Sequence, residues 1–496
     1  MNPSGMRWAL CPCTCDVFAM YRARTPPPAP SVVCYHWFEV ASRTPELWSF
    51  WGTDLDDWEE QHLFSNVRVP LDLVLCESVQ TFAPLGESER NVLKDRAARD
   101  TIRRIHLETQ SHLLLPSIMS SLTSPCGGLQ TKSLESLILC DSTAVPLDVS
   151  FLAHSRLPSL RHLTLSGCTI SSWDHLIPQT TLLITLELLP DLISSRPTLL
   201  QLLSMLTSNP HLRVLSVNEC AIPDDDRDIF PHKVPLHHLE ELRLRGNVEQ
   251  VFGLVSRLEY PEDMGKLSLS LSDCAATDAS QTIGPYLRDH IRRRSRTSNG
   301  LGLSISCPGS IVIFHAGGVT ELHPSTPQSE RMVSFVQITI GFNQILPVER
   351  EKVTLDLIAH TPREEIAYFR ACQTLAAVED LRVQMPNLKA LDLYMVPLCT
   401  AFLEPDFRAG SHVQENFPPS LQHLFLERLV MNGYDWIPLT AFLFRRASSG
   451  NQLDSLRVDG LCHMCSELAE KIGGMVQRFK IDQRCLVSWC PFGTCL

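Results

Sequence analysis

The residue types best suited to chemistry sit at the two ends of the chain. Cys462-His463-Met464-Cys465 has the spacing of a two-ligand metal knuckle, and Cys485, Cys490 and Cys495 follow it. A structural zinc site usually pairs two tight knuckles, and the second set here is looser, so no metal ligands are expected. Cys11, Cys13 and Cys15 lie closer together, with Pro12 between the first two, and read as part of an irregular tail. There is no glycine-rich phosphate loop, no Gly-x-Ser-x-Gly elbow and no His-Glu-x-x-His helix. The expectation is therefore no catalytic residue, no cofactor and no enzyme. The chain has 18 cysteines in 496 residues. Those within or just after strand-like phrases, Cys140, Cys168, Cys220 and Cys274, read as buried thiols rather than disulfides.

Charge narrows the partners. The net charge is −12, whereas phosphate contacts need clustered Lys and Arg, so nucleic acid is not expected. Arg292, Arg293, Arg294 and Arg296 fall in a Ser/Gly-rich stretch that reads as a solvated loop, with a nuclear-import signal as the alternative. Asp224 to Asp228 is its acidic counterpart. No run of eighteen apolar residues occurs, and Met1 to Tyr21 lacks a basic start followed by an apolar stretch. Neither a membrane span nor a secretory leader is expected, and a cytoplasmic or nuclear location follows.

The elements that must position any binding residues come from a repeated phrase, Leu-x-x-Leu-x-Leu. Six copies are spelled in leucine alone, starting at Leu134, Leu160, Leu183, Leu239, Leu388 and Leu421. Allowing any large aliphatic adds Ile102/Ile105/Leu107, Leu212/Leu215/Val217, Met264/Leu267/Leu269 and Leu453/Leu456/Val458. From 102 to 264 the starts are 23 to 32 residues apart, and from 388 they are 33 and 32 apart, so one supersecondary unit is being copied. The eighth residue after the first leucine is Cys168, Cys220 or Asn247 in three of them, where a small polar side chain beneath a turn can satisfy backbone groups.

Between the phrases lie returning segments. Pro197 to Asn209 reads as a helix with Leu199, Leu203 and Leu206 on one face. Thr361-Pro362-Arg363-Glu364-Glu365 is expected to open another, with Ile366 and Phe369 inward, and Pro438 to open one that ends near Gly450. From 270 to 387 the pattern degenerates; Leu301 to Ile305, Ile311 to Phe314 and Val353 to Leu357 are candidate strands, and Val378/Leu381/Val383 reads as the end of a helix. Strand then helix, repeated, predicts an α/β fold built as a curved leucine-rich-repeat solenoid. The alternative is an ordinary α/β domain with leucine-rich strands.

Upstream, the proline linker Pro26 to Pro30 gives way to a short amphipathic helix with Val33, Trp37, Val40 and Ala41 on one face. Thr44-Pro45 then opens a second short helix carrying Leu47 and Trp48. Val33-Cys34-Tyr35-His36-Trp37 and Thr44-Pro45-Glu46-Leu47-Trp48 resemble the end of the box in fungal F-box proteins with leucine-rich repeats. The likeness extends to the period-two strand Val69 to Leu75 and to the repeats that follow. The Leu-Pro-x-Glu-like first half of the box, which supplies much of the adaptor contact in that family, is missing. Its place is taken by a segment whose prolines would break the required helices.

The resemblance implies a substrate-recognition subunit of a Skp-cullin-F-box ubiquitin ligase. The box would hold a Skp-type adaptor and its cullin complex through Val33, Cys34, Trp37, Val40, Ala41, Pro45, Leu47 and Trp48, and the repeats would hold an unknown substrate protein. The alternative is a leucine-rich-repeat scaffold that no longer docks to a ligase. The domain reading is an irregular tail (1–30), a box-like remnant (31–50), a connecting segment with a strand near 67–75 (51–100), the repeats (101–460) and a Cys-containing C-terminal tail (461–496). Candidate contact residues on the repeats are Arg161, His162, Arg213, Glu240, Glu241, Arg243, Gln422 and His423, all at x positions of strong phrases.

Overall fold

The computed structural model describes Phe50–Trp51 and most of residues 70–481, apart from 77–86, 99, 110–113, 124–127, 130, 142–146, 171–172, 174–180, 190–196, 219–232, 296–299, 309–310, 320–331, 343–346, 373–384, 396–416, 432–435 and 463–465. The eight box-like residues from Val33 to Trp48 lie outside these, as do Cys220, Asp224 to Asp228, the Val378 to Val383 phrase and the terminal cysteines from Cys485 on. The chain is mixed α/β and divides into two compact units.

The smaller unit comprises Met1–Val145 with His154–Leu160. Its described strands are β1 (Phe50–Trp51), β2 (Leu71–Cys76), β3 (Ile102–Thr109) and β4 (Ser136–Asp141), each parallel to the next. Helices α1 (Glu87–Ala98) and α2 (Leu114–Leu122) make the returns. The strand expected near 67–75 is β2. Arg103 fastens β3 to it with a two-pronged contact to Asp72, Nε to Oδ1 at 3.2 Å and Nη2 to Oδ2 at 3.0 Å.

The larger unit, Pro146–Ala153 with Arg161–Leu496, is built the same way over a longer stretch. Its first strands are β5 (Leu147–Asp148), β6 (His162–Ser166), β7 (Cys168–Thr169), β8 (Thr185–Leu189), β9 (Val214–Val217), β10 (Val234–Pro235), β11 (Glu241–Asn247), β12 (Leu258–Glu259) and β13 (Lys266–Ser272). The rest are β14 (Leu301–Ser306), β15 (Ile311–Val319), β16 (Met332–Gly341), β17 (Ile366–Cys372), β18 (Ala390–Tyr394), β19 (His423–Met431), β20 (Leu453–Cys462) and β21 (Val476–Ile481). The helices are α3 (Leu199–Thr207), α4 (Val248–Val255), α5 (Gly284–Ser295), α6 (Pro347–Ala359), α7 (Trp436–Ser448) and α8 (Ser466–Gly473). The main sheet runs β6-β8-β9-β11-β13-β16-β15-β14-β17-β18-β19-β20-β21. Only β15 is antiparallel to its neighbours in that run. The two-residue strands β5 and β7, and β10 and β12, pair separately in parallel.

The leucine phrases account for this order. The first, fourth and sixth residues of all ten are buried, the most exposed being Leu165 at 3%. A fully buried leucine is worth roughly 1.5–3 kcal/mol, so each strand is driven onto the core of its own unit by three side chains at the same spacing. The turn into the phrase also recurs. The first residue donates its N–H to the carbonyl three residues back at Leu157, Asn209, Leu236, Pro261, Met385 and Pro418. One carbonyl at the phrase's second residue then accepts two N–H groups from the following repeat: Arg213 O takes Glu240 and Glu241, and Lys389 O takes Gln422 and His423.

Caps set the helices. Thr198 and Gln201 form a capping box on α3, so Pro197 stands just outside the helix rather than within its first turn. Asn247, eight residues after the first leucine of its phrase, forms the equivalent box with Gln250 on α4. Cys168 at the same position is half-buried, its Sγ 3.3 Å from Ser166 O; Cys140 is also half-buried, and Cys274 is buried as expected.

Several expectations are corrected between 270 and 387. Residues 363–365 form one 3₁₀ turn, and Ile366 and Phe369 belong to β17 rather than a helix. Val353 to Leu357 lies in α6, whose end is held by Thr361 Oγ1 donating to Ile358 O at 2.7 Å. Leu301 to Ile305 and Ile311 to Phe314 are strands, but in reversed order, because β15 and β16 form a hairpin between β13 and β14. That hairpin needs Gly317: a Cβ there would come within 2.3 Å of Val333 O. Arg292, Arg293 and Arg294 lie in α5, not in a loop, and Arg294 sits over the Phe335 ring at 5.4 Å. The sheet also continues past 460, where α8 and β21 occupy part of the segment read as a tail.

Candidate functional site

Strand pairing in the larger unit brings one residue from each main-sheet strand into a single row, on the face opposite the phrase leucines. In the first half it runs Thr164, Glu187, Ser216, Arg243, Ser268. It passes through Gln337 and His315 and continues as Ser304, Arg370, Asp392, Phe425, Arg457, Lys480. Twelve of these thirteen residues are polar, although each stands between two apolar neighbours on its strand; this is the period-two signature of a sheet with one face in the core and one available for contact.

The first half carries a charge network. Arg243 donates Nε and Nη2 to the two oxygens of Glu241, each at 2.9 Å, and Nη1 to Glu187 at 3.5 Å. Lys266 Nζ lies 3.0 Å from the Glu241 carboxylate, and Thr164 Oγ1 donates to Glu187 at 3.0 Å. Burial pushes the Glu241 carboxyl up, but the hydrogen bonds from Arg243 and Lys266 outweigh it and hold the group below its ordinary range. The hydrogen bond to Glu241 raises Arg243 in turn. Nearby, His162 Nδ1 is 3.0 Å from Thr185 Oγ1.

The second half is more enclosed. Arg370 donates Nε to Cys372 Sγ at 3.2 Å and lays its guanidinium over the Tyr394 ring at 4.8 Å. Tyr368 donates to the buried carboxylate of Asp392 at 2.8 Å. Burial opposes the charge on Arg370, and Asp392 restores it, leaving its pKa raised. Burial and then Arg370 hold His315 below its ordinary value, and burial holds Cys372 above its own. Beyond them Tyr368, Ala390 and Phe425 form an apolar cluster flanked by Val319 and Met332.

No protein-family model and no curated protein sequence matches this chain. The site is therefore read from its geometry.

Among the contact residues expected from sequence, His162, Glu241, Arg243 and His423 stand on the strands, with His423 Nδ1 2.8 Å from Ser455 Oγ. Arg161, Arg213, Glu240 and Gln422 stand exposed just ahead of them, and Arg213 reaches Glu240 at 3.3 Å. Arg213 and Glu240 also line a shallow depression with His237, His238 and Asp263. The sequence reading missed Arg370, His315 and Tyr394. Ile366/Phe369/Ala371 keeps the phrase spacing and is fully buried, but a rule demanding aliphatics passes over it; admitting Phe and Ala would have found β17, and Val476/Phe479/Ile481 in β21 as well. Among the described residues no group of three potential metal ligands converges, and no helix is long and apolar enough to cross a membrane.

Proposed function

We propose that this chain is a substrate-recognition subunit of a Skp-cullin-F-box type ubiquitin ligase. In this reading the repeats are a leucine-rich-repeat solenoid whose strand face holds the substrate protein, and residues 31–50 are an F-box-like remnant that holds the adaptor. The observation that carries the recognition half is the polar row across the main sheet, on the face opposite the buried phrase leucines. The adaptor half rests on the sequence likeness of Val33 to Trp48. The chain itself does no chemistry: binding places a substrate lysine near the conjugating enzyme and raises its effective concentration.

A second reading is favoured by the missing first half of the box: a repeat scaffold that binds a partner without a ligase. Co-purification with the Skp-type adaptor decides between them. The first reading expects the adaptor to accompany the full chain and to be lost in the Trp37→Ala, Trp48→Ala double variant while the unfolding transition of the repeats is unchanged. A wild-type chain that never captures the adaptor leaves the scaffold.

A further inference from the structure

Within the enclosed half of the strand face, Arg370 is held by two neighbours that use neither of its terminal nitrogens. Its Nε is taken by Cys372 Sγ at 3.2 Å, and its plane is fixed by the Tyr394 ring at 4.8 Å. The terminal Nη groups have no hydrogen-bond acceptor among the described residues. The neighbouring Asp392 carboxylate accepts from Tyr368 at 2.8 Å, and Arg370 has turned its Nε toward the Cys372 sulfur.

On the other side the register places Ser304 beside Arg370, and His315 beside Ser304. Adjacent strands lie roughly 4.8 Å apart, so two long donor-bearing side chains rise about 10 Å apart across a short hydroxyl. We propose that Arg370, Ser304 and His315 form a seat for a carboxylate, presented by an acidic side chain of the bound partner. This deepens the recognition reading of the face and rests on it.

Three features select a carboxylate. A preoriented guanidinium fork matches the two coplanar oxygens of a carboxylate and forms two parallel charge-assisted hydrogen bonds. The local charge is close to balanced, since Asp392 lies beside Arg370 and His315 is held neutral by burial and by Arg370, so a monoanion suits the seat better than a phosphate dianion. The floor is short: Ser304 and, two residues on, Ser306 are small half-buried side chains on β14.

The test uses the full-length chain with carbon-labelled histidine, the His315 signal being assigned by its loss in His315→Gln. Sodium acetate, inorganic phosphate and sodium chloride are titrated at matched ionic strength. The seat predicts a saturable shift of the His315 signal with acetate, a rise in its titration midpoint, and no saturable change with chloride. Arg370→Gln is expected to remove the saturable shift, Arg370→Lys to weaken it several-fold, and Arg288→Gln, on the exposed surface of α5, to leave it intact. An unchanged thermal transition in Arg370→Gln identifies the loss as loss of the seat. No acetate response, a response to phosphate alone, or the same response in Arg370→Gln overturns the proposal. These outcomes are independent of partner capture: a failed acetate titration leaves the recognition reading standing, whereas a chain that binds acetate but captures no protein partner counts against that reading.

Discussion

The side-chain oxygen of Asn209 accepts the backbone N–H of Leu183 at 2.9 Å, joining the end of α3 to the first leucine of the preceding phrase. Its amide nitrogen donates back to Met205 O at 2.8 Å, and its own carbonyl accepts the N–H of Leu212, the first residue of the next phrase. One buried residue, through its side chain and its backbone carbonyl, thus ties a helix end to the starts of two successive phrases.

Asn209→Ala is expected to lower unfolding stability by about 3 kcal/mol, because it leaves buried backbone groups at Leu183 and Met205 without partners. The same change at exposed Asn451, whose side-chain amide reaches Ser449 at a long 3.4 Å, is expected to cost less than about 0.5 kcal/mol. Denaturant midpoints of the two variants check the contrast.

Arg446 plays a related part in α7. Its guanidinium is buried, with carbonyl partners at Asn451 (3.0 Å), Pro418 (3.2 Å), Pro419 (3.1 Å) and Leu421 (2.8 Å). Arg446→Met keeps most of the volume and removes every donor, so a loss of about 3–4 kcal/mol is expected. Amide exchange should rise first at Leu421 and His423, where the phrase enters β19, and unchanged exchange there would contradict the assignment.

His290 makes stability depend on pH. It is buried, stacks on Tyr286 at 6.2 Å and faces Tyr260 at 6.4 Å, and its Nε2 has no hydrogen-bond partner among the described residues. Burial first, then Arg294 and Arg293, lower its pKa from 6.5 to about 4. The folded value lies below the unfolded one, so the unfolded chain takes the proton first as pH falls. The contribution is complete above the unfolded value of 6.5 and is lost as pH drops toward about 4. Between about pH 7.5 and about pH 5 the loss is roughly 2 kcal/mol, and it should vanish in His290→Phe. Urea midpoints at the two pH values measure it.

The strands of the strict phrases were legible because three buried leucines at fixed spacing leave a strand little choice of face. The helix α3 was legible from Leu199, Leu203 and Leu206 at helical spacing, whereas two signals compete further on: Thr361-Pro362 resembles a helix start, yet Ile366, Phe369 and Ala371 belong to the core as a strand. The hairpin between β13 and β14 was illegible, since no residue spacing states that β16 pairs with Leu267 to Leu271 across the helix and two strands between them. The polar row of the strand face was half legible. Glu241 and Arg243 sit in a strict phrase, whereas Arg370 and His315 acquire a common site only through that inserted pairing.

The reversed hairpin also divides the larger unit's assembly. On either side of it, each parallel strand can be added to the one just made, over a connection of one repeat, as in any array of nearest neighbours. At β16 that order is broken, because β13 has β11 on one side but must wait for β14 and β15 to be made before its second neighbour exists, and closing that longer loop costs chain entropy before any pairing rewards it. The sheet therefore has two places where growth can begin and one seam where the two must meet.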